Sequence, residues 1–163
     1  MAEAQFTDAI ALLKADHREV EALFEKFENA QNGSKREIAE KICNSLKIHA
    51  SIEEEIFYPA LQGEIEGSTL NEAYVEHDGA KVLINDIMAS SEVDELFDAK
   101  VKVLSEEIKH HVGEEEMRAE GMFAQAREAG VDLVALRDEM LARKQVLQTT
   151  GQLPPAELRV VHV

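Results

Sequence analysis

The chain has 163 residues, of which 45% are hydrophobic and 31% are charged, and its formal net charge is −16. This composition is typical of a soluble globular protein and excludes a largely disordered one. The strong negative charge argues against nucleic acid and anionic membrane surfaces as general partners, because both carry negative charge themselves.

Two further features bear on the cellular compartment. The single cysteine, Cys43, cannot form an internal disulfide, which favours a reducing environment and a role as a small core residue. Residues 1–20 have acidic residues within the apolar pattern and no continuous hydrophobic stretch, so they predict neither a signal peptide nor a membrane span. We therefore expect a cytoplasmic protein.

The first part of the chain predicts two amphipathic helices, because apolar residues and histidines recur at steps of three and four. The first helix should begin near Thr7 and end by Asn32–Ser34, a segment of turn composition. The second should stop at Tyr58, because Pro59 disfavours helical geometry in the residue before it. The residues on these two faces are Phe6, Ile10, Leu13, His17, Val20, Phe24 and Phe27, and then Ile38, Ile42, Leu46, His49, Glu53 and Ile56.

The next part predicts a third and a fourth helix with the same spacing. Ser68 or Thr69 is the expected N-cap of the third, since hydroxyl side chains favour that position. The face of the third helix is formed by Leu70, Tyr74, His77, Ile84 and Ile87, and that of the fourth by Phe97, Val101, Leu104 and Ile108 followed by one of two histidines.

Short connections between these helices favour antiparallel neighbours, so we predict an all-α, up-down-up-down four-helix bundle over residues 1–120. Residues 121–148 should add one or two short helices packed on it, the first ended by Gly130 and the second carrying Leu133, Leu136, Met140 and Leu147. Residues 149–163 have two prolines and no periodicity, which predicts an irregular tail that is loosely attached or docks a protein partner.

Histidines on the predicted core faces are the strongest functional signal. His17, His49 and His77 each lie one helical step from apolar residues, on three different helices. A single histidine in such a place is usually a satisfied core residue. Several buried imidazoles would each need a polar partner, because an unsatisfied buried polar group costs roughly 1–3 kcal/mol. One shared metal cluster would satisfy all of them.

A His-x3-Glu spacing strengthens the metal hypothesis, because residues i and i+4 lie on the same face of a helix. His49 and Glu53 have this spacing, and "IKHHVGEEEM" offers two registers, His110 with Glu114 or His111 with Glu115. Leu104 and Ile108 lie seven and three residues before His111, the same pattern as Ile42 and Leu46 before His49. We therefore choose His111 and Glu115.

The remaining pair, His17 with Glu21, is treated differently. Val20 and Phe24 continue the apolar face past Glu21, so Glu21 should lean to one edge of the helix. We expect a salt bridge or an exposed position for Glu21 rather than a metal-ligating one.

The segments "DHREVEALFEKF", "HASIEEEIFYPAL", "EHDGAKVLI" and "IKHHVGEEE" together resemble, over about residues 6–120, the hemerythrin-like family of HHE cation-binding domains. The resemblance implies an antiparallel four-helix bundle with two non-haem irons bridged by oxygen (an oxo- or hydroxo-bridged diiron centre). The implied metal ligands are His17, His49, Glu53, His77, His111 and Glu115, with the two glutamates bridging.

One position departs from the family's oxygen carriers, which have a fifth histidine one turn before the third-helix histidine. Ala73 stands there in this chain, which argues against simple reversible oxygen transport. The resemblance leaves open whether water fills this position or Tyr74 swings into it, and we favour Tyr74 as a core or neighbouring residue.

Three functions remain in competition. The leading hypothesis is a diiron protein that binds oxygen, peroxide or nitric oxide for sensing, storage or detoxification, with at most slow peroxide decomposition as turnover. A ferritin-like diiron oxidase or iron-storage protein needs Glu-x2-His on two helices, and only Glu107 with His110 fits that spacing. The third is a metal-dependent or metal-free interaction module that engages a protein partner through the tail or the acidic surface.

Overall fold

The computed structural model describes residues 6–91 and 93–162, and every regular element within these residues is helical. The helices are α1 (Ala9–Glu28), α2 (Asn32–Ile52), a π-helical turn (Glu53–Phe57), α3 (Tyr58–Leu61), α4 (Gly67–Ala89), α5 (Phe97–Glu116), α6 (Met122–Ala129) and α7 (Leu133–Thr149). The all-helical class predicted from the sequence is therefore confirmed.

Helix α1 begins behind Asp8, whose side chain accepts a hydrogen bond from the Ala11 amide at 2.9 Å. The helix ends at Glu28, before Asn32 as predicted, but the interpretation of Asn32–Ser34 as a turn is wrong, since Asn32 already begins α2. Turn-forming residues are tolerated there because the first amides of a helix lack intrahelical partners. The Ser34 hydroxyl donates to the Gln31 carbonyl at 3.1 Å, which fixes this first turn.

We expect Asp8→Ala to lower the free energy of unfolding by about 1 kcal/mol, because α1 loses its N-cap. Burial raises the pKa of Asp8, but the Ala11 amide and the Arg127 guanidinium outweigh it and hold the pKa below the ordinary 3.8. A depressed folded-state pKa stabilises the fold above about pH 4, and this contribution is lost as the pH falls through the folded-state value. In urea unfolding, the difference between wild type and variant should shrink at low pH; an equal difference at neutral and low pH would contradict this account.

The second helical segment does not break at Tyr58, contrary to the prediction. Tyr58 keeps helical geometry, with φ −62° and ψ −43°, and its amide donates to the Glu53 carbonyl five residues back. Proline normally clashes with the carbonyl four residues before it. In the π-helical turn, a backbone amide bonds to the carbonyl five residues back instead of four, which widens the helix ahead of Pro59. The chain therefore stays helical to Leu61.

Helix α4 starts at Gly67 behind Glu66, so neither Ser68 nor Thr69 is its N-cap as predicted. The side chain of Gln125 supplies the cap from α6, because its Oε1 accepts from the Glu66 amide at 3.0 Å. The Gln125 amide group also donates to the Thr69 hydroxyl at 3.1 Å, which uses that hydroxyl for tertiary packing instead.

The helices pack in a connected set: α1 on α2 and α5, α4 on α2 and α5, α6 on α5, and α7 across α1 and α2. The apolar core has two parts. The first cluster includes Ile10, Leu13, Ile52, Tyr58, Leu70 and Met122. The second cluster includes Val20, Phe24, Ile42, Leu46, Ile84 and Leu104. Along the chain, His17, His49, His77 and His111 each fall between residues of the first cluster and residues of the second.

The C-terminal part of the chain forms two helices. Gly130 ends α6 in the left-handed conformation, with φ 75°, which glycine adopts without strain. Helix α7 follows, and Leu136 and Met140 are its buried residues. No helix in the described ranges has both the length and the apolar character needed to cross a membrane.

The tail, residues 150–162, is irregular. We expected it to be loosely attached or to dock a protein partner, but it is held against the rest of the chain. It runs along α4, where Asn85 exchanges two hydrogen bonds with the backbone of Ala156 at 2.8 and 2.9 Å. Lys81 donates to the Glu157 carbonyl at 2.9 Å. The Asp78 carboxylate accepts from three consecutive backbone amides, those of residues 159–161, at 2.7–3.0 Å.

We expect Asp78→Ala to release the tail, because hydrogen bonds to a charged acceptor contribute about 1.5–3 kcal/mol each. Amide exchange of residues 156–161 should become at least about 10-fold faster, since 1.4 kcal/mol corresponds to a factor of ten. Asp86→Ala is the matched control, because Asp86 lies on the same helix and pairs with Lys100 at 2.9 Å. Equal exchange in both variants would contradict the anchoring role of Asp78.

Candidate metal centre

The six residues singled out from the sequence lie together between the two apolar clusters. His17 comes from α1, His49 from α2, Glu53 from the π-helical turn, His77 from α4, and His111 and Glu115 from α5. The two carboxylates are the most deeply buried, with exposed fractions of 0% for Glu53 and 1% for Glu115. Unpaired buried carboxylates are strongly unfavourable, so this arrangement needs compensating positive charge.

Their donor atoms form two overlapping groups. In the first, ligand atoms of His17, His49, Glu53 and Glu115 all lie within 4.8 Å of one another. In the second, ligand atoms of Glu53, His77 and His111 do so. Glu53 belongs to both groups, with its Oε1 3.3 Å from His49 Nε2 and 3.1 Å from His77 Nε2.

Glu115 likewise faces both sides of the centre. Its Oε1 lies 3.2 Å from His17 Nε2, and its Oε2 lies 3.3 Å from His111 Nε2. The two carboxylates therefore stand between two pairs of imidazoles, one pair from α1 and α2 and the other from α4 and α5. Carboxylate pairs in such positions are able to bridge two cations.

Each of the four histidines donates its Nδ1–H to a carboxylate outside the centre. The pairs are His17 with Glu116 at 2.6 Å, His49 with Asp16 at 2.9 Å, His77 with Glu54 at 2.6 Å, and His111 with Glu76 at 2.7 Å. This bond fixes the orientation of each ring and turns its Nε2 inward. The same carboxylate–histidine arrangement orients imidazoles at metal sites.

These four outer carboxylates were missed by the sequence analysis. Each one is adjacent in sequence to a predicted ligand, as in the pairs Asp16–His17 and Glu76–His77. An acidic neighbour beside four of the six predicted ligands, His17, Glu53, His77 and Glu115, was the available signal. In so acidic a chain, it was not distinguishable from solvated surface charge.

Several inward-facing atoms have no hydrogen-bond partner in the described structure, namely His17 Nε2, His49 Nε2, Glu53 Oε2 and Glu115 Oε1. Such atoms are rare in folded proteins, and their clustering marks a place where a ligand satisfies them. Two imidazole nitrogens and two carboxylate oxygens that converge on one volume form a donor set that suits a cation.

The pKa shifts of the histidines and glutamates also agree with a cation site. Burial lowers the pKa of His49, but Glu53 and Asp16 outweigh it and raise the pKa well above its ordinary value. The balance is similar for His111, whose pKa rises to about 10 through Glu115 and Glu76. Burial raises the pKa of Glu115, but His111 and His17 hold it well below its ordinary range. Without metal, protonated imidazoles thus balance the buried carboxylates.

A residue that the sequence analysis did not select lies at the middle of the second group. Tyr58 is fully buried, and its hydroxyl donates to Glu115 Oε2 at 2.7 Å. The same oxygen lies 3.1 Å from His77 Nε2 and 3.3 Å from His111 Nε2. Burial and the charges of Glu115 and Glu53 raise the pKa of Tyr58 well above its ordinary value, so the metal-free protein holds a neutral phenol.

Tyr58 was missed because Pro59 was expected to end the helix there. In an α-helix, Tyr58 and Glu53 would face different directions, but the π-helical turn places residues five apart above one another. Tyr74, which we considered for the same space, is only partly buried. Its ring packs edge-on against Tyr58, with centroids 5.3 Å apart.

The alternative register of "IKHHVGEEEM" lies outside the centre. His110 is 66% exposed, and its Nε2 lies 3.3 Å from Glu76 and 3.6 Å from Glu114. Glu21 forms a salt bridge with Arg18 at 3.3 Å, as predicted. The apolar spacing of the sequence therefore separated the inward-facing residues from the outward-facing ones.

A cavity of about 590 Å³ opens beside the centre, lined by residues of α1, α2, α4, α5 and α7 and by the tail. Its inner end includes His49 and His77, and its walls include Leu46, Ile84 and Val112. Charged side chains also line the cavity, and the apolar part of its wall suits small uncharged molecules.

Comparisons with known proteins agree with this geometry. Residues 8–123 match the family described as the hemerythrin HHE cation-binding domain. Among solved structures, the fold is similar to that of a hemerythrin HHE cation-binding domain-containing protein from Mycobacterium kansasii, with a TM-score of 0.73 and 18% identity. That match covers 89% of this chain and 90% of the other.

A curated relative has a different description. A DNA nickase from Nostoc sp. strain PCC 7120 is 29% identical over 106 residues, which is 64% of this chain and 30% of the nickase. This chain therefore spans less than a third of that relative's length.

Proposed function

The chain belongs to the hemerythrin family of HHE cation-binding domains, and from that premise we propose that its buried centre is a non-haem diiron site that binds oxygen, peroxide or nitric oxide. The role would be sensing, storage or detoxification, and any turnover would be slow decomposition of peroxide. His17 and His49 would hold one ion and His77 and His111 the other, with Glu53 and Glu115 between them.

The single observation that carries this proposal is the orientation of the four imidazoles. Every Nδ1 is held by an outer carboxylate, so that four Nε2 atoms and two buried carboxylates face one volume. This donor set suits iron, whereas magnesium and calcium prefer oxygen ligands and structural zinc sites usually contain cysteine thiolates. Two irons would supply open coordination positions and reversible oxidation.

The positions of the helices support an up-down-up-down bundle as part of the same proposal. Along α1 and α4, residues of the first cluster precede the histidine and residues of the second cluster follow it. Along α2, residues of the second cluster come before His49 and Ile52 of the first cluster comes after it. In α5, Val101 and Leu104 of the second cluster precede His111. This alternation is expected of antiparallel neighbours.

The surrounding residues have their own tasks in this proposal. The outer carboxylates keep the imidazoles aimed at the centre and make them better donors. Leu46, Ile84 and Val112 make part of the cavity wall apolar, which suits small uncharged ligands. Tyr58 keeps its proton close to Glu115 and is positioned to hold a proton or to bind a cation as phenolate.

Ligand titration tests the function. Iron(II)-loaded protein kept free of oxygen should change its optical spectrum on addition of nitric oxide, oxygen or hydrogen peroxide, with saturation near one equivalent per pair of irons. The His49→Ala, Glu53→Ala double variant should show no such change. A loaded wild-type protein that responds to none of the three ligands would refute the proposed function.

We expect Tyr58→Phe to remove a visible phenolate-to-iron charge-transfer band from the oxidised, iron-loaded protein while the iron content stays within about 20% of wild type. The reason is that a bound cation lowers the pKa of a coordinating group and so favours the phenolate. Tyr74→Phe is the matched control, since Tyr74 is the neighbouring aromatic residue. Identical visible spectra for wild type and both variants would show that Tyr58 acts only as a hydrogen-bond donor.

A further inference from the structure

The centre has a second approach, on the side formed by α4, α5 and the segment before α6. It is a pocket of about 170 Å³ that we call the acidic mouth. Its carboxylate residues are Glu66, Glu72, Glu76, Glu114, Glu115 and Glu120. The other residues that line it are Thr69, Ala73, His111, Met117 and Met122.

The charge of the acidic mouth is not neutralised by basic residues. Neither lysine nor arginine is found among the described residues that line it. The side chains of Glu66, Glu72 and Glu120 have no ion-pair partner in the part of the chain that the structure describes, and Glu114 faces only His110 at 3.6 Å. Glu76 and Glu115 are the exceptions, because both contact the His111 imidazole, at 2.7 and 3.3 Å.

The large cavity on the tail side differs in character. Its lining includes five basic residues, Lys47, Lys81, Arg143, Lys144 and Arg159. Acidic residues line that cavity as well, namely Asp16, Glu19, Glu54, Glu55, Glu76, Glu107 and Glu157. A cation that approaches from that side therefore meets charges of both signs, whereas the acidic mouth presents no lysine or arginine among its described residues.

The inner end of the acidic mouth reaches the buried centre. Glu115 is 1% exposed, and its Oε1 has no hydrogen-bond partner. His111 lines the same pocket and belongs to the second group of donor atoms. A path of carboxylates thus leads from solvent to the buried Glu115, whose Oε1 makes no hydrogen bond of good geometry although it lies 3.2 Å from His17 Nε2.

We propose that the acidic mouth is the route by which divalent cations enter the centre. This inference rests on the proposed function, since it presumes that the centre holds metal. A cleft lined by one sign of charge, with low-dielectric walls, concentrates counter-ions and raises association rates by roughly 10- to 1000-fold. Glu66, Glu72, Glu114 and Glu120 collect hydrated cations, and Glu115 receives them inside.

Uptake kinetics of Co²⁺ by the full-length metal-free protein provide the test, because the visible absorption of Co²⁺ reports its coordination. The variant is Glu72→Gln, Glu114→Gln and Glu120→Gln combined; none of these residues is a proposed ligand. At low salt we expect uptake at least about 10-fold slower than in wild type. The difference should nearly vanish at 1 M salt, because screening shortens the range of the field to about 3 Å. The final cobalt content should be unchanged.

A matched control separates local charge from net charge. The combination Glu25→Gln, Glu28→Gln and Glu37→Gln removes the same charge near the junction of α1 and α2, where Glu25 and Glu37 line a separate depression. This control should take up Co²⁺ at close to the wild-type rate. Equal rates for the mouth variant and wild type, or equal slowing in both variants, would overturn the proposed route. A wild-type protein that takes up no cobalt at all would instead refute the metal centre, and the route with it.

Discussion

Replacing His111 with alanine should remove at least one of the two proposed metal ions and weaken metal affinity on the order of 100-fold or more, while replacing its neighbour His110 should leave metal binding unchanged. His111 is buried with Nε2 facing Glu115, and His110 is 66% exposed. Changes even in residues that only orient a ligand cost about 10- to 100-fold in affinity, so loss of a ligand should cost at least that much.

The two variants make an unusually clean comparison, because the residues are adjacent in one helix and the chemical change is the same. Metal content after dialysis against a weak chelator measures the retained ions, and circular dichroism checks that both variants remain helical. Full retention of metal by His111→Ala, or equal loss from both variants, would show that the wrong register has been assigned to the centre.

Combining Glu53→Gln with Glu115→Gln should abolish the stabilisation that metal gives the protein. A ligand at about 1000 times its dissociation constant stabilises the folded state by about 4 kcal/mol. For a chain of this size, each kcal/mol raises the melting temperature by roughly 2–4 °C, so metal should raise that of wild type by roughly 8–16 °C. The double variant should show close to no metal-dependent rise, because both carboxylates that face the two groups of donor atoms lose their charge.

Glutamine is the appropriate replacement because it keeps the volume of the side chain and an oxygen able to accept from Tyr58. Packing between the two clusters is therefore retained, and the change acts on charge. Calorimetric scans of wild type and the double variant, each with and without metal, give the measurement. A metal-dependent rise of the same size in both proteins would show that Glu53 and Glu115 are not needed to hold the ions.

Much of this centre could be predicted from the sequence, because helical periodicity determines which way each side chain faces. The spacing of Leu104 and Ile108 predicted that His111 faces the interior, and the spacing of Val20 and Phe24 predicted that Glu21 does not. These inferences require only that each helix stays regular around the residue in question, as it does in α1 and α5.

Features that depend on irregular backbone or on long-range contacts could not be predicted from helical periodicity. Tyr58 reaches the centre only because a π-helical turn shifts the phase after Glu53, and a single sequence gives no reliable signal of such a turn. The anchoring of the tail depends on Asp78 meeting backbone amides about 80 residues later, a contact that local patterns do not encode.

The most direct test of the central claim is the iron content and absorption spectrum of the full-length protein after anaerobic reconstitution with iron and exposure to air. The geometry predicts two irons per chain and a charge-transfer band in the near ultraviolet, with both greatly reduced in the His49→Ala, Glu53→Ala variant. Wild-type protein that retains no iron, or retains as little as that variant, would contradict a diiron centre formed by the four histidines and two glutamates.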